Sequence, residues 1–438
     1  MNTTGIFVSE TFPDGEFILR EMGLESVALN SITPRWKRMS YMAVMMFITK
    51  EKPQLSALSL EKVKGYLHAI YHLCELQDWK ATKYMLDLPI TMTYNSISLS
   101  LPFSEYLLFR GLEQQLLNVC EDTINSFPNT ESQLASIYLL KARSLAEIVD
   151  RKMACDIFKE ICTVIDKYSE DYIEATARLA MGQIYSGDYK EGEKNLISQL
   201  KELEKAPNFS PKTIELKAEI FQYLAWYAMN ASKFKKAIYY YEIAVKIRKE
   251  SGLIHKIVDP LLHLGVIQKK LKNYKNAITY LQQAKETATI FMNESYIEWV
   301  DHHLAYVFLE QGNYCLAEQL CKSCIEKAKE RHREENNSGK SAIPDYYEQL
   351  GLIKLAKGKV NEAIQLLEMS LTCRINIANK HGTASSLKHL SIALWYQKKY
   401  LKSLYFLGNS LKTYSELKIL NFQRFFNTIK LFLEWTNR

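Results

Sequence analysis

Three short patterns in this 438-residue chain have the spacing of known chemistry. Gly339-Lys340-Ser341 has the tail of a phosphate-binding loop, whose backbone N–H groups and lysine cradle phosphate oxygens. The leading glycine would fall at position 334, which is Glu334, and no strand pattern precedes it. The segment reads as a solvated loop. Cys321-Lys322-Ser323-Cys324 has redox or zinc spacing, with Cys315 nearby, but no second pair of that spacing exists. These thiols read as core residues. His68 and His72 lie one helical turn apart; the zinc-protease pattern needs glutamate after the first histidine, and position 69 is alanine. Serine, histidine and acid never meet in a recognisable nucleophile elbow. The reading is non-enzymatic, with no metal and no cofactor.

Composition sets the frame that must hold any site. Glycine is 16 of 438 and proline 10, both about half of ordinary usage. That excludes turn-rich all-β folds, collagen-like chains and disordered linkers. Apolar residues are 47% and charged residues 24%, as in a folded, helix-rich chain. The formal charge of +7 is unevenly spread: residues 1–200 sum to −6 and residues 201–438 to +13. Such asymmetry steers an acidic partner or a nucleic acid toward the second half. A pI near 8.7 falls short of a dedicated nucleic-acid binder. Eight cysteines are too sparse for a disulfide scaffold and fit a reducing compartment. Met1 to Glu10 has no basic residue and no apolar run, and the apolar stretch Tyr41 to Ile48 is far short of the about 20 residues that cross a bilayer. The expectation is no membrane insertion, in the cytoplasm or an equivalent organelle interior such as a plastid stroma.

The organising feature is a repeat. A bulky residue, two spacers and a small residue recur: Phe234/Ala237, Tyr274/Ala277, Tyr314/Ala317, Val360/Ala363 and Tyr400/Ser403. About twelve residues upstream of each small residue stands a leucine-small pair: Leu224-Ala225, Leu264-Gly265, Leu304-Ala305, Leu350-Gly351 and Leu390-Ser391. Weaker copies centre on Gly192 and Ala154. The steps between small residues are 38, 45, 40, 40, 46 and 40, so the unit is close to 40 residues. Apolar residues recur at helical spacing on both sides of a short polar turn, as in Leu261/Leu264 and Ile278/Leu281. Each unit is a helical hairpin that buries its stripe by stacking on its neighbours.

This spacing resembles the tetratricopeptide repeat in its longer form, as in kinesin light chains, Rap-type bacterial peptide receptors and the arrays of cyanobacterial signalling NTPases. The resemblance implies an all-α solenoid, a right-handed superhelix of antiparallel helix pairs. Residues 131–415 form the array, 61–130 degenerate helical repeats, 416–438 a C-terminal capping helix, and 1–60 an N-terminal segment with one helix. In the longer tetratricopeptide families, the residue before the leucine-small pair commonly carries an asparagine that holds a bound peptide backbone. Here that position is His263, His303, Gln349 and His389, with Tyr223 earlier. An imidazole or amide can make the same hydrogen bonds. The same register adds Trp226, Tyr306, His302, Lys270 and Trp395, and also Tyr185, as candidate contacts.

The expected function is a scaffold or adaptor binding a peptide or protein segment in a concave groove, and the basic second half points to an acidic one. One alternative is a Rap-like peptide-sensing switch, with residues 1–130 as the moving module. Another is an RNA-binding helical repeat, disfavoured because no one-base-per-repeat pattern is visible.

Overall fold

The structure, a computed structural model, describes residues 8–24, 31–50, 59–94, 97–127, 134–148, 151–167, 169–186, 189–205, 210–291, 293–335, 342–376, 379–416 and 422–436. The chain divides into two compact units: residues 1–257 with 287–293, and residues 258–286 with 294–438.

The first unit opens on a module that the repeat reading did not anticipate. Strands β1 (Val8–Thr11), β2 (Pro89–Tyr94) and β3 (Ile97–Pro102) form an antiparallel sheet in the order β1-β2-β3. Helices α1 (Gly15–Glu21), α2 (Arg35–Lys50), α3 (Ser59–Glu75), α4 (Trp79–Leu86), α5 (Phe103–Phe109) and α6 (Glu113–Ser126) accompany it. The alternation of Ile90 and Met92 with threonines is a strand signal, and those two side chains are buried. Residues 61–130 are therefore not all helical repeat: a β-hairpin at 89–102 interrupts them. Residues 1–60 likewise hold more than one helix. Glu10 on β1 ties the module together, accepting from Lys62 at 2.7 Å and Tyr106 at 3.1 Å and pairing with Arg110. Ile18, Val44, Leu73, Met85 and Phe103 fill its core.

The hairpins follow. In the first unit they are α7 (Ala135–Ile148) with α8 (Arg151–Val164), α9 (Glu170–Ser186) with α10 (Tyr189–Lys205), and α11 (Pro211–Asn230) with α12 (Phe234–Glu250). The second unit contains α13 (Val258–Lys270), most of α14 (Tyr274–Ile290), α15 (Glu294–Glu310), α16 (Tyr314–Glu335), α17 (Ile343–Ala356), α18 (Val360–Asn376), α19 (Lys380–Tyr396) and α20 (Tyr400–Glu416). A final helix α21 (Phe422–Thr436) packs on α19.

The five hairpin turns from α11/α12 to α19/α20 use one device. Ser232, Lys272, Gly312, Gly358 and Lys398 all take positive φ, from 58° to 79°. At Gly312 the paired bonds are Gly312 N to Leu309 O at 3.1 Å and Asn313 N to Phe308 O at 2.9 Å, the pattern that closes a helix with a left-handed residue. The small residues then set how closely the two helices approach. A Cβ on Gly265 would lie 2.6 Å from Leu281 Cγ and 3.2 Å from Ala277 O; one on Gly351 would lie 2.9 Å from Leu367 Cγ. Where serine replaces glycine, Ser403 Oγ donates to Ser391 O at 2.7 Å.

Gly265→Ala should therefore destabilise the chain by about 1–3 kcal/mol in urea unfolding. Gly408→Ala, at an exposed helical site with nothing within 4 Å, should stabilise it by about 0.5–1 kcal/mol. Equal effects of the two substitutions would refute close packing at Gly265.

Candidate functional site

The residue before each leucine-small pair lies on the first helix of its hairpin, on α9 and α11 in the first unit and on α13, α15, α17 and α19 in the second. In sequence the row is Arg178, Tyr223, His263, His303, Gln349 and His389. One turn upstream stand Glu174, Glu219, Asp259, Trp299, Asp345 and Ser385. The acids at four of these six positions are a sequence signal that the search for aromatics and histidines overlooked.

In the first unit the row neutralises itself. Arg178 donates to Glu174 at 3.0 Å, to Tyr223 Oη at 3.1 Å and to Glu219 at 3.1 Å. Arg143 on α7 holds Glu105 at 2.8 Å. Burial opposes charge on Glu105 and Glu174, but Arg143 for the first and Arg178 for the second hold these carboxyls down at about 2. Every strong charge here has a partner. Trp226, half-buried on α11, packs beside the core of Ile220, Leu224 and Tyr227.

The second unit differs. His263 lies 3.6 Å from Asp259 and is half-buried. His303 stacks on Trp299, with centroids 5.9 Å apart and planes 26° from parallel, and Trp299 is 40% exposed. His302 meets Tyr306 edge-on at 5.0 Å. Lys269 Nζ sits 4.6 Å over the Tyr306 ring and 3.6 Å from Glu310. Burial pushes the Lys269 amine down; burial and the charge of Lys269 do the same to Lys270. Burial also holds His303 well below its ordinary value, reinforced by His302, Lys269, His263 and Lys270. His263, His303, Tyr306, Lys269 and Lys270 thus form a partly desolvated cationic and aromatic cluster. Lys270 is exposed at its edge.

Other expected contacts lie elsewhere. Gln349 is fully buried and donates to the His302 carbonyl at 2.8 Å, and His302 itself is 5% exposed. His389 is 7% exposed and lies 3.0 Å from Glu348. Burial opposes charge on Glu348, yet His389 and Arg374 hold its carboxyl far below the usual range. These side chains tie hairpins together rather than facing outward. Trp395 packs edge-on against Tyr400 at 4.7 Å and Phe432 of α21 at 5.4 Å, so the capping helix takes up its face. The side chain of Tyr185 and the Gly339–Ser341 segment lie outside the described residues.

The remaining patterns resolve as packing. Cys321 and Cys324 are buried, with Sγ atoms 3.1 Å from Tyr346 O and 3.6 Å from Glu298 O. Burial pushes the Cys324 thiol up to about 12. Phe47 stacks on His68 at 4.8 Å, and His72 pairs with Glu75 at 3.0 Å. Among the described residues no group of three or more histidines, cysteines and acids is placed to hold a metal ion. No helix there is long and apolar enough to cross a membrane.

Stacked two-helix repeats, closed by left-handed turns and crossing at small residues, define a tetratricopeptide-like α-solenoid. No family model and no curated protein matches the chain, but solved structures do. A signal transduction ATPase with numerous domains and a tetratricopeptide repeat sensor, from Pyrococcus horikoshii, is similar over 95% of this chain and 57% of its own. Identity is 14% and the TM-score 0.53, and this chain therefore spans just over half of that protein. A Rap protein complexed with competence and sporulation factor is similar over 86% of this chain and 99% of its own, at 13% identity and a TM-score of 0.50. Aspartyl phosphate phosphatase F from Bacillus subtilis is similar over 83% and 95%, at 10% identity and a TM-score of 0.50. These likenesses show the fold.

Burial holds His302 down to about 4, against an ordinary 6.5. Below pH 6.5 the unfolded chain gains this proton before the folded chain does, so stability falls with pH between those two values. Unfolding in urea at pH 7.5 and pH 5 should show a loss that His302→Gln reduces by roughly 1–2 kcal/mol; an unaltered pH dependence would refute a neutral, buried imidazole. Separately, His389→Ala should cost about 1–3 kcal/mol by leaving Glu348 short of a donor, whereas half-exposed His263→Ala should cost less than about 0.5 kcal/mol. Thermal denaturation of the two variants distinguishes these roles, and equal losses would contradict them.

Proposed function

We propose that the protein is a non-enzymatic scaffold or adaptor, acting in a reducing, cytoplasm-like compartment, that binds a peptide or extended protein segment along the first helices of its second unit. The observation carrying this reading is the His263, His303, Tyr306, Lys269 and Lys270 cluster with Trp299 exposed beside it. Aromatic surface next to partly desolvated hydrogen-bond donors is the composition of a binding hot spot. The cluster holds more cationic and neutral donors than acids, so the favoured segment carries carboxylates. The solenoid fold is shared with a Rap protein that was crystallised with competence and sporulation factor, which supports a peptide or protein ligand. Among the sequence candidates, His263, His303, Tyr306 and Lys270 belong to this surface. Gln349 and His302 support it from beneath, while His389 ties α19 to Glu348 on α17.

A second reading, a peptide-responsive switch, draws on the N-terminal module. Arg110, which binds Glu10 there, also donates to the Phe291 carbonyl at 3.4 Å, joining sheet and repeat loop within the first unit.

A segment crosslinked to the protein in its native cell, resynthesised and titrated calorimetrically, tests the first reading. His263→Ala combined with Lys270→Ala should weaken binding at least about tenfold, or 1.4 kcal/mol, without moving the thermal midpoint. Unchanged affinity would overturn the assignment.

A further inference from the structure

The outward face of the second helices carries an anomaly. The positions one, five, eight and twelve residues after each helix start are exposed in α12, α14, α16, α18 and α20. In α12 they are Lys235, Tyr239, Glu242 and Lys246; in α14, Lys275, Thr279, Gln282 and Glu286. In α16 they are Cys315, Gln319, Lys322 and Glu326; in α18, Asn361, Gln365, Glu368 and Thr372. All but Tyr239 and Cys315 are polar, as a solvated face requires. In α20 the same positions are Leu401, Tyr405, Gly408 and Lys412. Leu401 is 87% exposed and Tyr405 66%, and Leu404 between them is 51% exposed, although its counterparts Ile238, Ile278, Glu318 and Ile364 are half-buried or buried. Leu401, Leu404, Tyr405 and Gly408 stand at i, i+3, i+4 and i+7, one face of two helical turns about 10 Å long.

We infer that this face docks an amphipathic helix of another protein whose apolar stripe is flanked by aspartate or glutamate. Charge selects the occupant. Lys398, Lys399, Lys402 and Lys412 rim the stripe and are all exposed; among the described residues only Lys412 has a carboxylate beside it, Glu416 at 4.0 Å. A second copy of this chain would set lysine against lysine in either helix orientation, a repulsive arrangement. An acidic helix would place its carboxylates over the rim and its leucines over the stripe. Gly408, with open space where a side chain would stand, admits one bulky residue of the partner. Such close approach suits a helix better than a lipid surface. This face lies on second helices, apart from the first-helix row, and is independent of the function proposed above.

The test is selection of helices from a phage-displayed amphipathic library, about 16 residues long, on the full chain. Enriched sequences should carry acids beside leucine, isoleucine or phenylalanine at i, i+3, i+4 and i+7. Their synthetic peptides should bind at least about tenfold more weakly to the Leu401→Gln, Leu404→Gln, Tyr405→Gln triple variant. Binding should also weaken from about 50 to about 300 mM salt. Because the three substituted side chains are exposed, the triple variant should keep the parent's circular dichroism and thermal midpoint. Enriched helices without acids, or peptides indifferent to the triple variant, would overturn the inference. So would stripe-dependent sedimentation with phosphatidylserine vesicles in place of peptide binding, or a dimer that the triple variant dissolves.

Discussion

The structure depends on how closely two helices can approach at one crossing. Gly265 against Ala277 and Leu281, Gly351 against Ala363 and Leu367, and Ser391 against Ser403 are the same contact in three hairpins. A side chain larger than these at the first-helix position would hold the helices apart and open voids along both stripes, at a cost that close-packed interiors do not absorb. With that distance fixed, the leucine before the small residue turns inward. The residue before the leucine then falls at the edge of the buried face. That edge is why Arg178, Tyr223, His263 and His303 are half-buried, neither core nor plain surface, whereas Gln349 and His389 are sealed. Its residues are polar because they reach water or one another, and close to the core because their neighbours in sequence are core.

Buried arginines fasten the ends of second helices. Arg248 and Arg374 occupy the same register, fourteen residues after the starts of α12 and α18, and both are 3% exposed. Arg248 donates to Lys256 O at 3.0 Å and to Glu215 at 3.1 Å; Arg374 donates to Gly382 O at 2.8 Å and pairs with Glu348. Arg248 ties the end of α12 to the turn that follows it and to an acid on α11, and Arg374 ties the end of α18 to the start of α19 and to an acid on α17. A buried guanidinium needs such partners, since its desolvation is otherwise unrecovered. The five donors of arginine supply the required fork, and lysine would not. His389 belongs to the second of these assemblies through Glu348. Its place in the row says little about ligands and much about cohesion.

The hairpins were legible because their period repeats and the small residues at 237, 277, 317, 363 and 403 recur with little competing signal. The turns were legible only in part: Gly312 and Gly358 announce a left-handed residue, whereas Ser232, Lys272 and Lys398 adopt it without announcing it. The sheet was not foreseen, because six-residue strands such as Pro89–Tyr94 alternate too briefly to stand out beside helices of seventeen. Burial along the row was also hidden. Register places His263 and Gln349 alike, yet one is half-buried and the other sealed, and the difference comes from what stacks above each. Spacing along a chain fixes which way a side chain points, while its depth depends on the size of neighbours distant in sequence.

Charge shows the same division. The negative sum over residues 1–200 suggests an acidic surface, but Glu105 and Glu174 are spent on Arg143 and Arg178, and Glu10 on Lys62 and Arg110. The excess of +10 over residues 351–438 has a different fate. Arg374 and Lys354 are held by acids, Lys354 by Glu318 at 3.0 Å and Glu362 at 2.7 Å, while Lys398, Lys399 and Lys402 stand in solvent around an apolar stripe. Net charge alone predicts a diffuse attraction for acids across the second half. The side-chain geometry sets the first-helix cluster beside Trp299 and the rim of α20 beside Tyr405. Charge beside exposed aromatic surface gives orientation as well as encounter rate, which a uniformly basic face cannot do.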